Sequence, residues 1–309
     1  MSFALRSSSF VVGIALLGCG EIHGQAATGS FRETLAVDAP LELDVSTGSG
    51  SITIRGGARG EVAVLGTIRV SRSFARSRAE AEDLVRRIEA DPPIELSGAT
   101  LRVGYVEDPE LRRNVSISYE IEVPAETEVR SRTGSGSQVV AGVAGPVGVN
   151  TGSGSVTLTD IGGAAEATTG SGSIRAERVA GAFNGRTGSG SVRLVQTADA
   201  DVDVSTGSGS VDLQGVSGTA HVRTGSGSIS LEGEQRGRWD LETGSGSVRV
   251  RLPADAAFAL DARTSSGEVF SGHPITMQGR ITRGALRGDV RGGGDALYVR
   301  TGSGDIRIE

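Results

Sequence analysis

Apolar and polar residues alternate through most of the chain, and the alternation is broken at regular intervals by glycine. A representative stretch runs Val202-Asp203-Val204-Ser205-Thr206, then Gly207-Ser208-Gly209-Ser210, then Val211-Asp212-Leu213-Gln214, then Gly215-Val216-Ser217-Gly218. Period two closed by glycine-bearing corners predicts two short strands and two turns per unit. Val156 and Leu158, Ile174 and Ala176, Val192 and Leu194, Val211 and Leu213, Ile229 and Leu231, and Val248 and Val250 hold equivalent places. They should point inward as aliphatic ladders, with Thr157, Arg175, Arg193, Asp212, Ser230 and Arg249 outward between them. Further strands are predicted at Leu41–Val45, Ile52–Ile54, Val62–Val64, Leu101–Val103 and Val115–Val123. From Ser73 to Ala90 the spacing changes: Ala79, Ala81, Leu84, Val85 and Ile88 recur at helical intervals before Pro92-Pro93, which predicts one amphipathic helix closing an end of the array.

The corner is a repeat. Thr-Gly-Ser-Gly-Ser begins at Thr47 and again at Thr133, Thr151, Thr169, Thr187, Thr206, Thr224 and Thr243, followed by variants at Thr264 and Thr301. From Thr133 the steps are 18, 18, 18, 19, 18, 19, 21 and 37, the last reading as two periods with Thr282-Arg283-Gly284 near the missing midpoint. A period this regular is the mark of a solenoid. With no room for a helix between strands, consecutive coils are expected to stack in parallel about 4.8 Å apart. Eleven or so coils would make a rod on the order of 50 Å long. The predicted corner ladder consists of Thr133, Gly134 and Gly136; Thr151, Gly152 and Gly154; Thr169, Gly170 and Gly172; Thr187, Gly188 and Gly190; Thr206, Gly207 and Gly209; Thr224, Gly225 and Gly227; and Thr243, Gly244 and Gly246. Glycine suits a corner stacked on itself, where a Cβ would crowd the next coil and a positive φ is open to it, and the hydroxyls can bond along the stack.

The N-terminus carries an address. Arg6 precedes a short apolar run, Phe10 to Leu17, that is too short to span a bilayer and reads as an export signal. Leu16-Leu17-Gly18-Cys19 resembles the lipobox of bacterial lipoproteins, which makes Cys19, the one cysteine of the chain, the expected lipid attachment site. Cleavage after Gly24-Gln25-Ala26 is the competing reading. With acyl chains worth about 0.8 kcal/mol per buried CH₂, a lipidated Cys19 would make the membrane a partner. Gly20 rather than Asp after the cysteine favours an outer-membrane destination in a cell with two membranes, with a periplasmic or secreted protein as the other outcome.

Composition narrows the chemistry. The net charge of −6 argues against a nucleic-acid partner, and the absence of lysine removes lysine chemistry. One cysteine excludes disulfide frameworks and multi-cysteine zinc sites. The three histidines, His23, His221 and His273, form no metal or catalytic motif, so neither a cofactor nor a metal is expected. The 18-residue coil is twice the nine-residue calcium repeat, but Val156, Ile174, Val192, Val211, Ile229 and Val248 stand where that repeat needs Asp. Asp199, Asp201 and Asp203 are the carboxylates a polysaccharide-cleaving β-helix would use, although most such runs are solvated faces. No catalytic residues are assigned.

The lipobox, the Leu43-x-Val45-x-Thr47-Gly-Ser-Gly-Ser-Ile52 opening, the helix insertion, the Tyr119-Glu-Ile121-Glu-Val123-Pro124 strand and the following ladder together resemble the bacterial "putative adhesin" family of β-strand-repeat proteins, a domain family of unknown function. The resemblance covers the mature chain and implies an all-β, right-handed parallel β-solenoid with 18–19 residues per coil, exported to the cell envelope. The expected layout is a signal peptide over 1–18, a linker over 19–29, an N-terminal β region with its helix at about 75–90 over 30–132, and regular repeats over 133–309. The function expected is a non-enzymatic adhesin-like scaffold whose rigid surface meets an envelope protein or polysaccharide. A glycan-processing β-helix enzyme and an ice-like lattice binder are the alternatives.

Overall fold

The computed structural model describes residues 25–37, 40–58, 60–71, 77–106, 115–277 and 283–309. The alternation folds into a two-sheet parallel solenoid. Each coil gives one strand to each sheet, as Val147–Thr151 and Val156–Ile161 do, followed one coil on by Ala165–Thr169 and Ile174–Val179. Equivalent residues pair in register, Val156 with Ile174, then Val192, Val211, Ile229 and Val248. The sheet holding these residues has 13 strands and the facing sheet 14. Eleven strands of each belong to stacked coils, and the rest are antiparallel additions at the ends.

The core is the pair of inner faces. All twelve residues of the predicted ladders, from Val156 and Leu158 to Val248 and Val250, are buried, at about 1.5–3 kcal/mol for each large aliphatic side chain. Their predicted outward neighbours are exposed or half-buried. Aromatic residues also enter this narrow core, Trp239 and Phe183 each with an alanine as neighbour on one side. Trp239 is fully buried beside Ala220 and donates its indole N–H to Gly218 O at 2.9 Å. Phe183 stacks beside Ala165, and a Cβ on Gly185 would strike its ring.

Between Thr133 and Arg251 the coils stack in chain order, but at both ends they do not. The Thr301 repeat pairs with Thr243 on one side and Thr264 on the other, so the coil at 295–308 is inserted between those at 239–251 and 258–271. The step of 37 residues is therefore not two stacked periods. It contains the antiparallel strands Ile275–Met277 and Ala285–Val290, with Arg283 and Gly284 in a turn and Thr282 outside the described residues. The N-terminal end repeats the device: the coil at 42–58 lies between the coil at 100–124 and the one at 128–141. In both cases the outermost coil is the one to which flanking chain adds antiparallel strands, on both sheets at the N-terminal end and on the 14-stranded sheet at the C-terminal end, and the displaced coil fills the place beneath.

The one helix of the described residues, Arg78–Ala90, starts where Ser77 accepts the Glu80 N–H at 3.2 Å and stops before the two prolines. Ala81, Leu84, Val85 and Ile88 are buried, whereas Ala79, counted above with the apolar face, is exposed in the first turn. The helix packs on the edge strand Gln25–Ala36, with Gly29 beneath Val85 and Glu89. There the Glu89 carboxylate accepts the outward Ser30 N–H at 2.9 Å.

Candidate functional site

The corner and one sheet face carry the features from which a site could be built. At the corner each threonine lies at or within two residues of the end of a strand of the 14-stranded sheet, and from Thr133 onward each is buried. Thr206 shows the arrangement: its hydroxyl donates to Gly190 O of the preceding coil at 2.9 Å and accepts the Gly209 N–H of its own coil at 3.1 Å. Thr151, Thr169 and Thr187 make both bonds, while Thr133, Thr224, Thr243, Thr301 and Thr264 make the inter-coil one. The glycines are fixed by close approach. A Cβ on Gly209 would collide with Gly190 O, Gly190 C and Ser191 N, and one on Gly207 with Gly188 O. Positive φ, invoked above for the whole ladder, occurs in the described motifs only toward its C-terminal end, at Gly246, Gly267 and Gly304. Elsewhere crowding alone excludes a side chain. The threonine hydroxyls are thus committed to the stack and the glycines are fixed by close approach, while the serines and the first glycine of each motif, such as Ser208 and Gly207, face solvent.

The opposite corner holds left-handed backbone instead. Gly142, Asp160, Arg178 and Gly215 have φ between 50° and 75° at equivalent positions. Arg178 donates to both Asp160 oxygens, one at 2.8 Å, and this contact holds the Asp160 carboxyl below the usual carboxylate range and the guanidinium above its own.

The three carboxylates at 199–203 part company. Asp199 sits at a corner, accepting from the Ser217 hydroxyl at 3.2 Å with Arg236 at 3.7 Å. Asp201, just before the strand Val202–Thr206, accepts the Thr219 N–H at 2.8 Å. Asp203 faces outward in register between Asn184 and His221. Asp201, Asp203 and His221 line a groove of about 570 Å³ on the outer face of the 14-stranded sheet. It crosses the coils from Val129 to Ala220, about 24 Å at the strand spacing. In its middle Pro146, Gly148, Ala164 and Ala182 keep the outer positions small. At one end stand Glu128 and Arg130, which pair with each other and, through Arg130, with Glu42. At the other stand the two aspartates, Thr219 and His221. Sequence reasoning assigned these outer positions no role; the signal it passed over was three successive coils with Pro146, Ala164 and Ala182 at one position.

The facing sheet presents a different surface. Its outward charges neutralise one another, Arg175 with Glu177, Arg193 with Asp212, and Arg251 with Glu232 and Glu309. Of the histidines, His273 is buried edge-on to Phe258 with ring centres 5.5 Å apart, and His23 lies outside the described residues. Among the described residues no cluster of three His, Cys, Asp or Glu side chains could hold a metal ion, and no helix is long and apolar enough to cross a membrane. Cys19 also lies outside the described residues.

The family described as Toastrack DUF4097 matches residues 111–309. Two solved structures resemble the chain. A "putative cell adhesion protein" from Clostridium sporogenes is 13% identical, covering 90% of this chain and 97% of that one at a TM-score of 0.26. A "putative adhesin" from Bacteroides fragilis is 9% identical, covering 92% and 99% at a TM-score of 0.40. No curated protein matches.

Proposed function

The chain belongs to the Toastrack DUF4097 family, and from that premise we propose that it is a non-enzymatic, adhesin-like scaffold of the cell envelope that holds an extended polysaccharide along its grooved face. The groove carries this reading. Its floor is fixed by the register of stacked strands, so it is formed before any ligand arrives, and preorganisation lowers the ordering cost of binding. Its length spans several sugar units, and Asn184, Thr219, His221 and the carboxylates give hydroxyl-binding groups beside an apolar floor. Binding of purified protein to immobilised glycans is the test. Ala164→Trp, which fills an exposed position in the middle of the groove, should abolish capture without lowering the melting temperature. Capture that survives this change removes the groove from the function.

The placement of Asp203 directly beside His221 supports a second reading, hydrolysis of the bound glycan. Product analysis on the same glycans separates the two, since turnover lost in Asp203→Asn would make the protein an enzyme. Membrane attachment is proposed through Cys19, on the lipobox resemblance. Incorporation of labelled palmitate should disappear in Cys19→Ala, and incorporation that persists would refute the anchor.

A further inference from the structure

At the C-terminal end of the rod the outward charges on the 14-stranded sheet stop cancelling. Arg300 and Arg263 are direct partners on adjacent parallel strands, and like charges facing across a strand pair oppose folding. Arg263 is held by Asp261 at 2.8 Å. Arg300 has Glu242 as its partner on the other side, but the Glu242 carboxylate lies against Arg223 at 3.5 Å, and Arg300 makes no ion pair among the described residues. Arg287 stands opposite Asp261 on the antiparallel capping strand, and Arg283 leads into the turn. Arg300, Arg263, Arg287 and Arg283 thus share one carboxylate, that of Asp261, because Glu242 is taken by Arg223, in a chain whose net charge is −6.

These strands border an open depression of about 400 Å³ lined by Arg263, Thr264, Ser265, Gly284, Arg300 and Thr301. The turn at Gly284 forms one wall, tied down by the Thr264 N–H, which donates to Gly284 O at 2.8 Å. Nowhere in the middle of the array does the corner meet such a wall, because the wall exists only where the capping strand folds back. Thr264 and Thr301 spend their hydroxyls on the stack, donating to Gly304 O and Gly246 O. The free donors that remain are the Arg300 guanidinium and the exposed hydroxyl of Ser265.

We propose that this depression binds a tetrahedral oxyanion, sulfate or phosphate, either free or carried as an ester on a sugar. A doubly charged oxyanion beside Arg300 would relieve its repulsion with Arg263 and accept charge-assisted hydrogen bonds from the Arg300 guanidinium and a further one from the Ser265 hydroxyl. The site is separate from the groove and does not depend on glycan binding there.

The test is calorimetric titration of the full chain, at constant ionic strength against chloride, with inorganic sulfate, inorganic phosphate, a sulfated disaccharide and its unsulfated counterpart. Arg300→Gln should weaken binding by about tenfold or more, the scale of one lost charge-assisted hydrogen bond. Without ligand it should melt at or above the parent temperature, since a like-charge contact is removed. Arg193→Gln, on the other sheet, should bind as the parent does. Inorganic ions bound without the sulfated sugar would identify a free ion as ligand, and tighter binding of the sulfated sugar than of its counterpart an ester; either supports the site. Absence of binding by the parent protein, or equal loss in Arg193→Gln, overturns it.

Discussion

At the scale of single residues, the corner shows how a motif of threonine, glycine and serine divides its labour. Thr206 has no freedom to serve a ligand, because its hydroxyl already joins two coils. Thr206→Val keeps the shape but strands one carbonyl and one N–H, and leaving buried polar groups unpaired costs about 1–3 kcal/mol. Thr206→Ser should recover most of that loss in a denaturant titration. Gly209→Ala should cost about 1–3 kcal/mol through overpacking, and more than Gly207→Ala, because its Cβ meets three backbone atoms at collision distance rather than one. Ser208→Ala, on the exposed hydroxyl between them, should stay within about 0.5 kcal/mol. A Gly209→Ala protein that melts like the parent would return the corner to consideration as a binding loop. The N-terminal cap holds a second test. The phenol of Tyr119 is buried with no hydrogen-bond partner among the described residues, and burial pushes its pKa well above that of an ordinary phenol. A raised pKa means the folded state keeps its proton after the unfolded chain has lost it, so this contribution is intact below about pH 10 and declines as pH rises beyond it. Tyr119→Phe should therefore flatten the alkaline limb of the stability profile and leave neutral stability equal or higher.

At the scale of elements, the strands were legible because burial on one face writes itself into every second residue. The helix was legible for the same reason at its own period. What the alternation could not carry is which coil lies next to which. Thr301 can make the same corner bond wherever its coil is stacked, so its sequence reads as the next repeat although its neighbours are Thr243 and Thr264. The groove escaped for a related reason: Pro146, Ala164 and Ala182 are unremarkable singly and form a floor only when three coils are superposed. Even within the ladder one coil departs from pattern. Gln138 occupies the place of Val156, and Ser131 that of Val149. The two polar side chains are buried and bonded to each other, and the Gln138 amide also donates to Asn150 O. Ser131→Val alone should cost about 1–3 kcal/mol by stranding the glutamine oxygen. Adding Gln138→Val should restore stability, because replacing both partners by apolar groups is close to neutral. A double-mutant cycle without coupling would show that the pair is not acting as one unit.

At the scale of the whole molecule, a stack of parallel strands has two exposed ends, each able to recruit another chain. This protein covers them with chain that leaves the stack and turns back: a helix laid on the Gln25–Ala36 edge at one end, and the strands Ile275–Met277 and Ala285–Val290 on the 14-stranded sheet at the other. Covering the second end in this way has a consequence for assembly. The coil at 295–308 pairs on both flanks with strands that precede it in the chain, through Trp239–Leu297 and Leu260–Leu297 on one sheet and Val248–Ile306 and Val269–Ile306 on the other. If the insertion is the architecture, removing residues 295–309 opens a gap inside the stack rather than shortening it. The inner faces of Trp239, Leu241, Val248 and Val250 would lose their covering coil, and the capping strands beyond would lose their attachment to the array. Hydrogen exchange of the truncated protein should then show protection lost throughout 258–290 and in the coil at 239–251, with the coils from 133 to 196 still protected, since a solenoid couples chiefly through nearest neighbours. Were the coils stacked in chain order, the same truncation would remove only an outer layer, and 258–290 would keep its protection. That outcome would contradict the inserted topology.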